Sequence, residues 1–203
     1  MAPAAAAAGD CGDGADIMDP VSTLLIVSGP PGAGESTVAR LLSKMLNPSA
    51  LVVGDDFFGF IDQGFVAPWT TEAHYQNEVV VGAAAAAVGR LAAGGYTVTY
   101  DGVIGPWFLD RFGVATGLAQ LHYVALLPPM NVCVERVGSR RGHGFTDLGA
   151  TRHMYRDFAG ARIDERHLIT SLNSAELVKT KIHELLLAGA LAVSIDNHTS
   201  RPS

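Results

Sequence analysis

The apolar residues of this chain gather into short unbroken runs separated by longer stretches of helical period. Residues 24–27, 50–53, 96–100 and 121–127 are the clearest runs, and 168–170 is a shorter one. Periodicity alone does not assign runs of this length. Their flanking glycines and prolines, and the β-branched Thr97, Val98 and Thr99, suit buried strands. Between them, 35–46 places Val38, Leu41, Leu42 and Met45 on one helix face. Residues 71–91 predict a helix with Thr70 or Thr71 as cap and Glu72 in the first turn, closed by Gly94 and Gly95. Pro106 can open a short helix toward Arg111. Further helices are predicted over 131–140, 147–158 and 174–187, whereas 57–70, with four phenylalanines, reads as an irregular or partly helical insert.

Strands alternating with helices predict an α/β fold: a three-layer parallel sheet of about five strands with helices on both faces. Ligands of such sheets bind beyond the carboxyl ends of the strands. That rule sets residues 29–36, Asp55, Asp56 and Asp101 along one rim. The expected organisation is a disordered leader over 1–19, one domain over 20–196 with a small lid at about 136–160, and a frayed tail over 197–203.

Composition narrows the function classes. The 203 residues are 48% hydrophobic and 17% charged, the balance of a packed domain. A net charge of −6 argues against a nucleic-acid partner, although a local basic pocket is compatible with it. Cys11 and Cys133 lie far apart and fit two free thiols in a reducing compartment. The longest apolar stretch, 79–88, is short, alanine-rich and broken by Gly82, so no membrane span is expected. The leader lacks the pattern of a secretory signal. A cytoplasmic protein, monomeric or homodimeric, is the expectation.

The strongest chemical signal is Gly29-Pro30-Pro31-Gly32-Ala33-Gly34-Glu35-Ser36-Thr37, between a predicted strand and a predicted helix. The pattern G-x-x-x-x-G-K-[ST], the Walker A motif, is matched at every defining position but the lysine. The glycines let backbone amides approach a phosphate, and the helix after the loop adds its positive end. Ser36 is the candidate ligand of Mg²⁺. The plain alternative is a Gly/Pro turn before a helix. Glu35 reverses the charge of the usual lysine. For a pair about 4 Å apart at an effective dielectric near 20, that is worth roughly 4 kcal/mol, reduced if the side chain points away. Phosphoryl transfer suffers more than binding, because the amides remain. Glu35 is an introduced change, a natural loss of activity, or a sign that another cation, such as a lid arginine, takes over.

Other residues cluster near the same rim. A carboxylate leaving a strand beside a phosphate loop can orient or deprotonate a hydroxyl, which makes Asp55 and Asp56 candidates. In an extended segment adjacent side chains point opposite ways, so one of the pair, preferably Asp55, faces the acceptor. Both could instead cap a turn. Asp101 is either a metal-side or acceptor group, or a turn former. Residues 136–166 hold seven of the fourteen basic residues, all arginine, whose fork suits phosphate. Arg136 and Arg140 share a helix face, with Arg141 and Arg152 as weaker candidates. Gly138, Gly142 and Gly144 provide lid flexibility, and His143 between the latter two is a candidate acceptor contact. Phe57, Phe58, Phe60, Phe65, Trp69 and Trp107 would line an aromatic pocket or form a small core. Arg111 would bind an acidic acceptor group or pair with Asp110.

Through its 29–37 loop, the Val53-Gly54-Asp55-Asp56 segment and the arginines of its lid, the chain resembles small P-loop kinases. These are the group containing chloramphenicol phosphotransferase, gluconate kinase, shikimate kinase and the zeta toxins. The resemblance spans about 24–187 and implies a nucleoside-kinase-like P-loop fold. It implies ATP with Mg²⁺, a small-molecule hydroxyl acceptor, Asp55 or Asp56 taking the hydroxyl proton, and Arg136 and Arg140 as lid arginines. The implied activity is an ATP-dependent phosphotransferase acting on an antibiotic, sugar or nucleoside-like metabolite, impaired by Glu35. The alternatives are an inactive nucleotide-binding protein and a toxin-like kinase of a larger substrate. By fold position, 172–176 would meet the nucleobase.

Overall fold

The computed structural model describes residues 23–141, 145–171 and 174–196. The expected leader, the tail, Cys11, and the lid residues Gly142, His143 and Gly144 lie outside the described residues.

Five parallel strands run in the order β2-β3-β1-β4-β5: β1 Leu24–Ser28, β2 Ser49–Val53, β3 Thr97–Asp101, β4 Gln120–Leu126 and β5 Leu168–Ile169. Helices α1 Glu35–Ser43, α2 Asp55–Phe58, α3 His74–Ala93, α4 Pro106–Thr116, α5 Met130–Gly138, α6 Leu148–Gly160 and α7 Ala175–Leu187 connect or flank them. The strand β1 is buried along its whole length and alternates between two cores. Leu24 and Ile26 pack with Ala84, Val88, Phe112 and Tyr123 on the face covered by α3 and α4. Leu25 and Val27 pack with Val38, Leu42, Cys133 and Ile182 on the face covered by α1, α5 and α7. A strand buried on both sides needs an unbroken apolar run, which is why period carried no signal there. The central strand is therefore the best-anchored element, at about 1.5–3 kcal/mol for each large side chain buried. The 29–37 loop leaves the end of this strand and so starts from a fixed point.

As expected, the architecture is a parallel core with helices on both faces. Four local expectations need correction. A sixth strand, β6 Ala192–Ser194, pairs antiparallel with β4. The helix α1 stops at Ser43 and Met45 is exposed. Pro48 disfavours helix at Asn47, and the Ser49 hydroxyl donates to the Ser43 carbonyl at 2.7 Å, closing the last turn. Neither threonine caps α3: the Thr70 hydroxyl donates to Ala67, and a short 3-10 turn, Thr71–Ala73, leads into the helix. Finally, Asp55 and Asp56 open α2 rather than lying in an extended segment, so the premise that they point opposite ways fails.

Candidate functional site

The loop after β1 is shaped by what surrounds it. Ser28 is pinned to the exit of β3: its hydroxyl donates to the Ile104 carbonyl at 2.9 Å and accepts from the Ile104 amide at 2.8 Å. A Cβ on Gly29 would stand 2.5 Å from the Leu126 carbonyl oxygen, and one on Gly32 would collide with the backbone carbonyl of Cys133. Gly32 and Gly34 also take φ of +87° and +106°, the left-handed region that side chains disfavour. The Ala33 amide closes a turn on the Pro30 carbonyl at 3.0 Å. Helix α1 then begins at Glu35 with Gly34 as its cap, so no cap side chain occupies its positive end. Ser36 and Thr37 face solvent, Pro30 is buried and Pro31 half-buried.

Three acids converge on this turn from two strand ends and the loop itself. The end of β3 delivers Asp101, which is buried near the Ser36 hydroxyl. Burial pushes the Asp101 carboxyl up; the Ser36 hydroxyl opposes the shift and Asp55 adds to it. The Gly54 amide donates to the Asp101 carbonyl at 2.7 Å, tying the exit of β2 to that of β3 and setting the position of α2. Asp55 opens to solvent at the rim, and the surrounding protein raises its carboxyl; Asp56 adds repulsion and Arg140 opposes it. The third acid is Glu35. Its side chain turns inward, 9% exposed, and Oε2 accepts from the Gly34 amide at 2.9 Å. Burial first, with Asp101 adding, raises its carboxyl to about 7 against hydrogen bonds from the Glu35 and Gly34 amides.

The cations come from α5, the residues just after it, and α1. Arg136 reaches back so that one terminal nitrogen donates to the carbonyls of Gly32 at 3.3 Å and Ala33 at 3.2 Å. Arg140 donates to the Phe145 carbonyl at 3.1 Å, and its charge acts on both Glu35 and Asp55. Arg40, one turn after Ser36 on α1, acts on Asp101. Sequence reasoning passed over Arg40, although its i+4 spacing from Ser36 was the available signal. Arg152 donates to Leu148 on its own helix, and Arg166 pairs with Asp164, so these arginines serve local structure. A cavity of about 280 Å³ flanks the loop, lined by Gly34, Thr37, Pro128, Arg136, Ser171 and Ala175 among others. Residues 172 and 173 of the expected nucleobase turn lie outside the described residues, but Ser171 and Ala175 on either side line this cavity.

The aromatic residues do not form one wall. Phe57 packs on the core and meets Phe60 edge-on, with ring centroids 5.6 Å apart. Trp69 meets Phe145 of the lid at 4.9 Å, while Trp107 meets Phe158 of α6 at 5.3 Å. Phe60, Phe65, Trp69 and Trp107 remain exposed. Arg111 pairs with Glu78 of α3, not with Asp110, so it is already engaged. Cys133 is a buried free thiol, and no helix among the described residues is long and apolar enough to cross a membrane.

No protein-family profile matches the chain, and no curated protein matches it in sequence. Solved structures do match in fold. A sugar kinase from Janibacter sp. superposes with a TM-score of 0.60 at 16% identity, over 81% of this chain and 94% of that one. The tunicamycin resistance protein of Deinococcus radiodurans gives 0.59 at 17% identity, over 81% and 95%. The APS kinase of Mycobacterium tuberculosis, solved with AMPPNP and APS, gives 0.55 at 18% identity, over 81% and 97%. At these identities the likeness is one of fold.

Proposed function

We propose that this chain binds ATP and Mg²⁺ on the 29–37 loop and phosphorylates the hydroxyl of a small organic molecule, with transfer slowed by Glu35. The observation that carries the reading is the glycine cradle at the β1–α1 junction, where a Cβ at Gly29 or Gly32 would strike backbone, with Ser36, Asp101 and Asp55 on the same rim. Such a cradle fits an anion, because glycine turns that lead into a helix can aim main-chain amides and the helix end at one oxyanion. The flanking cavity fits a nucleobase and sugar.

Ser36 and Asp101 would hold Mg²⁺: they lie close together, and Asp101 sits among acids with its carboxyl pushed up, a site short of positive charge. The ion, when bound, neutralises phosphate oxygens and orients them. Asp55, at the solvent side of the rim, orients the acceptor hydroxyl and takes its proton. Arg140, whose charge already reaches Glu35 and Asp55, stands between donor and acceptor and stabilises the transferring group. Arg136 holds the loop through its carbonyls and borders the cavity. The lid over about 136–160 shields the reaction from water.

A second reading, a nucleotide-binding protein without transfer, is favoured by the inward carboxylate of Glu35. Nucleotide binding and ATP hydrolysis, measured for the chain and for Glu35→Lys with and without Mg²⁺, separate the two. The kinase reading expects Mg²⁺-dependent hydrolysis to rise on the order of 10²-fold with lysine. Binding in both chains with hydrolysis in neither supports the second reading. Absence of nucleotide binding in both overturns both.

A further inference from the structure

The residue standing in the lysine position does not turn away from the loop. It folds into it. Glu35 Oε2 accepts from the Gly34 amide at 2.9 Å, and Oε1 lies 3.2 Å from where a Cβ on Gly29 would sit. The head group therefore reaches across the cradle from its last glycine to its first. At 9% exposure it is shielded from water. Arg140 faces it as a cation and Asp101 as an acid. An anion-binding turn works by leaving main-chain amides free for an incoming oxyanion. Here a carboxylate on the same chain already takes the Gly34 amide, through a charge-assisted hydrogen bond stronger than that of a neutral acceptor.

We propose that Glu35 is the loop's own anionic ligand and so sets its specificity: the carboxylate occupies the phosphate position, and an external di- or triphosphate binds only by displacing it. This rests on reading the 29–37 loop as an anion site. The flanking cavity lies outside the competition, so the chain discriminates against polyphosphates relative to the uncharged part of a nucleotide. Displacement requires Glu35 to swing out of the cradle, and Arg140, whose charge already acts on it, is a cation to receive it.

The test uses inorganic pyrophosphate, titrated by calorimetry into the full chain, Glu35→Ala and Glu35→Gln, with the amide resonance of Gly34 tracked by NMR. Removing the carboxylate adds no cation, yet pyrophosphate affinity is expected to rise at least about tenfold in Glu35→Ala and to rise also in Glu35→Gln, whose neutral amide is the weaker competitor. The Gly34 proton is expected to move upfield in Glu35→Ala and to return downfield as pyrophosphate is added. The gain should persist in about 0.5 M salt, where repulsion at a distance is screened. Should the alanine chain fail to fold, the near-isosteric glutamine chain carries the same comparison. Equal pyrophosphate affinity in the parent and the variants, a Gly34 resonance unmoved by the substitutions, or a gain abolished by salt overturns the proposal. Its failure is distinct from that of the kinase reading. If Glu35→Lys binds nucleotide while Glu35→Ala gains no pyrophosphate, only the occupied-loop inference falls. If pyrophosphate binding is gained but Glu35→Lys ignores nucleotide, only the nucleotide reading falls.

Discussion

The 29–37 loop and the insert between α2 and α3 share one rim of the sheet and are built in opposite ways. The loop packs backbone against backbone, Gly29 against Leu126 and Gly32 against Cys133, and the Ser28 hydroxyl before it is locked to the Ile104 backbone. The insert is held by side chains. Gln76 bonds both the amide and the carbonyl of Val66, and Asn77 donates to the Pro68 carbonyl, while Phe60 and Phe65 stay in solvent. Anion recognition needs several amides aimed at one point, so its geometry tolerates little change. In the proposed function the insert would meet the acceptor through apolar area and shape, which a few adjustable side chains supply. Substitutions should therefore act nearly all-or-none in the loop and by degrees in the insert.

The sharpest break is Gly32→Ala. It forces a Cβ into the Cys133 carbonyl and an alanine into the left-handed region. We expect a loss of about 2–4 kcal/mol in stability, together with loss of anion binding, measured by urea denaturation and pyrophosphate titration. A cost below about 1 kcal/mol would mean that the loop yields as readily as the insert.

Next comes pH. Burial holds the Glu35 carboxyl at about 7, above its ordinary 4.5, so the folded chain keeps that proton more tightly than the unfolded one. The resulting stability is complete below about pH 4.5 and is lost as pH rises through 7. Glu35→Gln cannot ionise, so its stability relative to the parent should climb over that interval, by at most about 3 kcal/mol. Asp55, raised in both chains and not coupled to Glu35, cancels in the difference. Denaturation at about pH 5 and about pH 8 checks it, on either side of most of the shift; a flat difference would mean the carboxylate is solvated.

The smallest effect is expected from Gln76→Ala. It removes both bonds to Val66, costing about 1–2 kcal/mol. Amide exchange should quicken around residue 66, with pyrophosphate binding unchanged. Loss of anion binding in this variant would show that the two regions are one unit.

Much of this could be read along the chain. The strands of the parallel core were legible because a buried strand must be continuously apolar, and the cradle because a loop with three spaced glycines between strand and helix has few other uses. The last strand, β6, was not legible: it is three residues long and is stabilised by the edge of β4, a partner far away in sequence. The helical start at Asp55 was missed for a similar reason, since its backbone is tied to Asp101 through Gly54.

The order of layers and the backbone of the loop are written in the chain itself, because apolar runs and glycine positions act over a few residues. Which groups meet at the loop was decided by tertiary structure alone. Glu35 faces inward rather than outward, Arg136 grips the loop carbonyls across 104 and 103 residues, and Arg140 acts on two acids at once. Local rules govern backbone shape, whereas the direction and charge environment of a long polar side chain are set by whatever the fold brings against it.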